Sequence, residues 1–119
     1  MRKARVCYNH LAGEMGIRLY DSLITHGYLL LNDGSLALSE TGQQFVQDFG
    51  IDLDQLRASR TPLCRECLDR SERRSHLAGS LGRAFMTRFE VLRWAKRDTG
   101  RIITFSRTGE REFNAMFGL

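Results

Sequence analysis

The sequence has a single proline and no long polar or repetitive tract, so extended disorder is not expected except at the ends. No stretch approaches the roughly 18 apolar residues needed to span a bilayer, and a membrane partner is not expected. The basic start, Met1-Arg2-Lys3-Ala4-Arg5, is followed by no apolar signal core, because His10, Glu14 and Arg18 interrupt the next segment. No export is expected, and the cytosol is the natural compartment. Cysteine is scarce: Cys7, Cys64 and Cys67 make an odd count, which argues against a secreted disulfide framework. There is no phosphate-binding glycine loop, and no histidine pairs with Ser71 at a recognisable catalytic spacing. The run Leu68-Asp69-Arg70-Ser71-Glu72-Arg73-Arg74 reads more simply as a charged helix start, with Asp69 or Ser71 as cap. An enzyme is therefore not expected.

What is present is ordinary globular material. The 119 residues are 42% hydrophobic and 27% charged, enough for one domain or for two very small units sharing one core. The formal charge is +4, with positive clusters at 2–5, 57–60, 65–74 and 93–101. Such clusters favour phosphate backbones through counterion release. A charge of this size is equally at home on a plain solvated surface.

Self-similarity organises the chain. His10-Leu11-Ala12-Gly13-Glu14-Met15-Gly16 matches His76-Leu77-Ala78-Gly79-Ser80-Leu81-Gly82, and at the same offset Tyr28 falls on Trp94. One residue later in offset, Leu38-Ser39-Glu40-Thr41-Gly42 matches Phe105-Ser106-Arg107-Thr108-Gly109, and Phe49-Gly50-Ile51 then matches Phe117-Gly118-Leu119. Order is kept while the offset drifts, as loop insertions would cause.

Each copy reads alike. Over 8–26, Tyr8, Leu11, Ala12, Met15, Leu19 and Leu23 recur at helical spacing, and Gly27 ends the helix. Two short apolar runs flank Asn32-Asp33-Gly34 and predict a hairpin, after which Ser39 caps a helix that Gly50 stops. In the second copy Leu77, Leu81, Ala84, Phe85, Phe89 and Leu92 share a helical face. Trp94 and Ala95 begin a strand, Asp98-Thr99-Gly100 turns it, Ile102 to Phe105 returns, and Ser106 caps the last helix. Residues 51–60 form a short helix beginning at Asp52, and 61–74 a charged connector. The pairs Gly13/Gly16 and Gly79/Gly82 suggest that the two long helices cross there, since helix-interior glycine otherwise costs up to about 1 kcal/mol. The expected fold is α+β and mainly helical. It consists of duplicated helix–β-hairpin–helix units, 1–60 and 61–119, packed with pseudo-two-fold symmetry in one compact domain.

A long helix, a hairpin and then Ser-x-Thr-Gly opening a helix form the back half of many winged-helix domains. Residues 11–27 have room for one helix, not for a helix, a turn and a reading helix. Each unit therefore resembles a shortened winged helix, suited to packing, dimerisation or ligand binding.

Cys64-Arg65-Glu66-Cys67 is a C-x-x-C pair and Cys7-Tyr8-Asn9-His10 a C-x-x-H pair. Together they offer four soft ligands for a tetrahedral zinc ion. An alternative set joins Cys67 and His76 to Asp69 or Glu72. Inert buried cysteines, and histidines with a shared structural role at equivalent helix starts, are the competing reading. A thioredoxin-like role lacks its βαβ context; a thiol sensor would draw on Arg65, Arg70, Arg73 and Arg74 to lower a thiol pKa.

The segments Arg5-Val6-Cys7-Tyr8-Asn9-His10-Leu11-Ala12-Gly13 and 67–79, which opens Cys67-Leu68-Asp69-Arg70-Ser71-Glu72-Arg73, resemble the C-terminal region of a group of ArsR-type helix-turn-helix transcriptional regulators. The family pattern reads approximately Cys-Tyr-Asp-His-Leu-Ala-Gly and Cys-Leu-Asp-Trp-Ser-Glu-Arg. Asn9 stands where aspartate is usual and Arg70 where tryptophan is usual, which weakens any site built on that aspartate. The resemblance implies an N-terminal winged helix that this chain does not contain, as in an excised C-terminal portion or a stand-alone relative. It also implies repression relieved by a small effector or metal ion.

On this basis the expected function is an effector-sensing or dimerising domain of a bacterial regulator. Cys7, His10, Cys64, Cys67, Asp69, Glu72 and His76 are the effector or metal candidates, and Arg73 is the candidate contact for an anionic effector. Two alternatives are a stand-alone DNA-binding protein using Arg93, Lys96, Arg97 and Arg101, and a structural zinc module. The expected partners are a homodimer mate, an unidentified small effector, and DNA through a separate winged helix.

Overall fold

A computed structural model describes the backbone of residues 5–7, 10–69 and 74–118 and the side chains of 11–68 and 74–118. The expectations for Tyr8, Asn9, Arg70, Glu72 and Arg73, and for the side chains of Cys7, His10 and Asp69, lie outside the described residues. The architecture is α+β, with small antiparallel strand pairs and, among the described residues, five helices. No described helix is long and apolar enough to cross a membrane.

The chain opens with β1 (Arg5–Cys7) paired to β2 (His10–Ala12), and Gly13 turns β2 directly into α1 (Gly13–Thr25). The second half repeats this beginning: β5 (Arg65–Asp69) pairs with β6 (Arg74–Ala78), and Gly79 turns β6 into α4 (Gly79–Val91). Gly13 and Gly79 have φ of 74° and 79°, the left-handed region where only glycine is unstrained. This corrects the sequence expectation of a helix running from Tyr8 and of Leu77 on a helical face. Leu11, Ala12, Leu77 and Ala78 are indeed buried, but from strands. A strand that runs straight into a helix keeps its last core positions in phase with the helical period, so spacing alone cannot find the junction. The connector 61–74 likewise contains a strand.

After α1 come β3 (Leu29–Asn32) and β4 (Ser35–Leu38), joined through Asp33 and Gly34 with φ of 51° and 79°. Two successive positive φ values are the twist-matched turn that Asp-Gly favours. Helix α2 (Glu40–Asp48) follows, then α3 (Leu53–Arg57), whose cap Asp52 accepts from Gln55 N–H at 3.2 Å. In the second half β7 (Ala95–Arg97) pairs with β8 (Ile103–Phe105), and α5 (Arg107–Phe117) closes the chain. Ser39 Oγ accepts from Gly42 N–H at 3.0 Å, and Ser106 Oγ from Gly109 N–H at 2.8 Å. Both expected caps are in place.

One apolar cluster spans both halves. It joins Met15, Leu19 and Leu23 of α1 to Phe85 and Phe89 of α4 and to Phe113 and Phe117 of α5. The helix crossing expected at the glycine pairs is replaced by an exchange: α1 packs on β6 and α4 packs on β2. Close approach is real, but backbone of strand and connector makes it. A Cβ on Gly16 would stand 2.5 Å from the Leu11 carbonyl oxygen, and one on Gly79 2.6 Å from that of Pro62.

Candidate ligand cleft

The strand pairs set the register of the candidate site residues. Cys7 stands opposite His10, and Cys67 opposite His76. His76 is buried, while Cys64 and Cys67 are half-buried. Among the described residues no three His, Cys, Asp or Glu side chains are grouped so as to hold a metal ion. Burial pushes the Cys64 thiol up to about 11; this outweighs the Arg57 guanidinium and the Leu38 backbone N–H, which favour the thiolate. Cys64 is thus a neutral thiol near pH 7, the reverse of what a thiolate-based sensor needs.

The basic candidates gather around the second hairpin. Lys96 and Arg101 are exposed, and Arg97 Nε lies 3.3 Å from Glu90 Oε1. Arg93 is left-handed, with φ of 62°, at the place where the first half has Gly27 at 75°. Arg93, Lys96 and Trp94 border a shallow hollow of about 310 Å³.

The larger concavity lies elsewhere, where α3 and the connector face α4 and β5 across a cleft of about 880 Å³. That volume is in the range of small-molecule sites. Three guanidinium groups line it: Arg65 on β5, and Arg83 and Arg88 on α4. Arg88 is fixed, because its Nε donates to the Phe49 carbonyl at 2.7 Å and its guanidinium lies 6.0 Å from the Phe49 ring centre. It thereby meets a free carbonyl at the C-terminus of α2, where a cation is favoured. Gly50, at φ of 99°, leaves the room, since a Cβ there would be 2.6 Å from Arg88 Nε.

Two carboxylates also line the cleft, and both are engaged. Asp52 caps α3. Glu66 accepts a hydrogen bond from the Tyr20 hydroxyl, which ties β5 to α1. Burial first, then that hydrogen bond and the Glu66 charge, hold the Tyr20 phenol far above its ordinary pKa, so it remains the donor. Arg65 and Arg83 are exposed and have no carboxylate partner among the described residues. The first N–H groups of α4 are occupied: Ser80 N–H donates to Pro62 O and Leu81 N–H to Leu63 O, each at 2.9 Å. The Ser80 hydroxyl is buried and lacks a hydrogen-bond partner among the described residues.

Sequence reasoning missed this cleft. Arg83, Thr87 and Val91 recur at helical spacing on the exposed side of α4, which is a signal for a solvated face. Residues of α3, far away in the chain, line the same cleft, and that leaves no local pattern.

No family model matches the chain, and no solved structure matches it. Among curated proteins it is similar to an uncharacterized HTH-type transcriptional regulator, YdfF, of Bacillus subtilis (strain 168). The two are 37% identical over 111 residues, which cover 92% of this chain and 49% of that protein. The chain thus spans about half the length of the curated relative it matches.

Proposed function

We propose that this chain is the effector-sensing and dimerising half of an ArsR-like transcriptional regulator, and that it does not itself read DNA sequence. The observation that carries this reading is how the long helices are used. A helix that reads a major groove needs a free face of polar side chains. On α1 the apolar side is buried, and two polar side chains, Arg18 and Asp21, are half-buried and engaged by other elements of the same chain. Arg18 donates to Asn114 of α5 and lies 5.9 Å from the Phe113 ring centre, and Asp21 pairs with Arg74 of β6. The outward side of α4 lines the cleft. The matching order of elements, the paired caps at Ser39 and Ser106 and the left-handed Gly13 and Gly79 support descent from a duplicated unit. The two copies, 1–60 and 61–119, would then be related by a pseudo-two-fold axis.

Fluorescence anisotropy with labelled duplexes tests the reading. The chain is expected to bind its own upstream region and random DNA equally weakly, in the range of about 10⁻⁴–10⁻⁶ M typical of non-specific contact at physiological salt. A preference of about 10³-fold or more for the upstream region would overturn it, and Arg93, Lys96 and Arg101 would then be the residues to vary.

A second reading, a zinc centre, is favoured by the register that sets Cys7 of β1 opposite His10 of β2 and Cys67 of β5 opposite His76 of β6, with β2 and β6 neighbouring each other. In the sensing reading Asp69 and Glu72 are further effector candidates, and Arg73 is a contact for an anionic effector. Native mass spectrometry of unchelated protein decides the zinc question. One zinc per chain supports it, and a folded metal-free species removes it.

A further inference from the structure

We infer that the cleft between α3 and α4 binds a small amphipathic organic anion, a monocarboxylate with an apolar body. The inference rests on the sensing role proposed above and names the ligand class of that role. Charge comes first. Of the ionised groups on the cleft wall, Asp52 and Glu66 already accept hydrogen bonds from Gln55 N–H and Tyr20, whereas Arg65 and Arg83 have no carboxylate partner among the described residues. Three guanidinium groups against two carboxylates leave the wall with a net positive charge. It belongs to guanidinium groups, whose planar fork matches a carboxylate.

The apolar half of the ligand follows from apolar residues on both walls. Ile51, Leu56 and Ala84 line the cleft, and Val91 stands at its rim 64% exposed. An alkyl or aryl body laid along these residues would be removed from water together with Val91. The backbone at the start of α4 takes no part, because the N–H groups of Ser80 and Leu81 are held by Pro62 and Leu63. Side chains must hold the anion. Arg88 is already oriented by the Phe49 carbonyl, so one of the three cations is set in place before any ligand arrives.

Isothermal titration of the full chain with octanoate, 1-octanol, acetate and inorganic phosphate provides the test. Octanoate is expected to bind saturably at one site per chain, at least tenfold more tightly than octanol, acetate or phosphate. Replacing both exposed arginines, Arg65→Gln with Arg83→Gln, should weaken octanoate at least tenfold and leave octanol unchanged. Val91→Lys should weaken it through the apolar wall, and Arg101→Gln, on the distant hairpin, should change nothing. Thermal unfolding of each variant should match the parent, since these side chains are exposed. Equal binding of octanoate and octanol would overturn the inference, as would phosphate matching octanoate or indifference to the double arginine variant. Those results would leave the DNA measurement above untouched. Sequence-specific DNA binding would overturn the sensing role without altering the titration.

Discussion

Phe89→Ala should lower the free energy of unfolding by about 3–5 kcal/mol, the cost of emptying a fully buried aromatic site. Phe89 has no exposed surface, and its ring centre lies within 6.1 Å of those of Phe49, Phe85, Trp94, Phe105, Phe113 and Phe117. Those rings belong to the segment after α2, to α4, to the β7–β8 hairpin and to α5. Removal therefore leaves a void that no single side chain can swing into. Small domains are stable by only about 5–15 kcal/mol, so the variant should lose a large share of its margin. Urea unfolding reads the change directly, and a loss under about 1 kcal/mol would show that the aromatic cluster collapses around the gap. Phe89→Leu keeps most of the volume and should cost about half as much or less.

The corners at Gly42 and Gly109 carry the second large effect. In most helices alanine in place of glycine is a gain of up to about 1 kcal/mol. Here both substitutions should instead lose about 2–3 kcal/mol through overpacking. A Cβ on Gly42 would sit 2.1 Å from the Tyr28 carbonyl oxygen, and one on Gly109 would sit 2.1 Å from the Trp94 carbonyl oxygen and 2.4 Å from its Cα. These obstacles are backbone and cannot rotate aside. Relief requires lifting α2 or α5 off the preceding segment. That would stretch the bonds from Ser39 N–H to Tyr28 O and from Ser106 N–H to Trp94 O, both 3.0 Å. Gly27→Ala is a useful contrast: nothing lies within 4 Å of its added Cβ, so its cost should be that of a positive φ alone. Thermal unfolding of the three variants separates steric from conformational cost. Equal shifts for Gly27→Ala and Gly109→Ala would refute the steric account.

Much of the local structure was legible. Ser39, Asp52 and Ser106 announce helix starts because a short oxygen-bearing side chain satisfies N–H groups only a few residues away. Asp33-Gly34 announces its hairpin because few residue pairs accept two positive φ values in succession. The strands β1, β2, β5 and β6 were not legible. Their residues are few, and Leu11 and Leu77 remain in helical phase with the helices that follow. The candidate site divides in the same way. The pairing of Cys67 with His76 reflects a short antiparallel register, yet the sequence, read for helices, placed both histidines at helix starts. Arg65, Arg83 and Arg88 are far apart in the chain and share no motif.

Sequence alone thus determined the order of turns and caps, the repeated Ser-x-Thr-Gly corner and the supply of apolar residues, since each depends on neighbours within a few residues. Tertiary structure alone decided that α1 lies on β6 and α4 on β2, that Arg18 and Asp21 of α1 meet Asn114 and Arg74, and that three arginines face one cleft. An apolar helix face states that it must be covered, but burial is non-directional and does not name the covering element. That choice is made by the packing of the whole core, and with it the place where a ligand can enter.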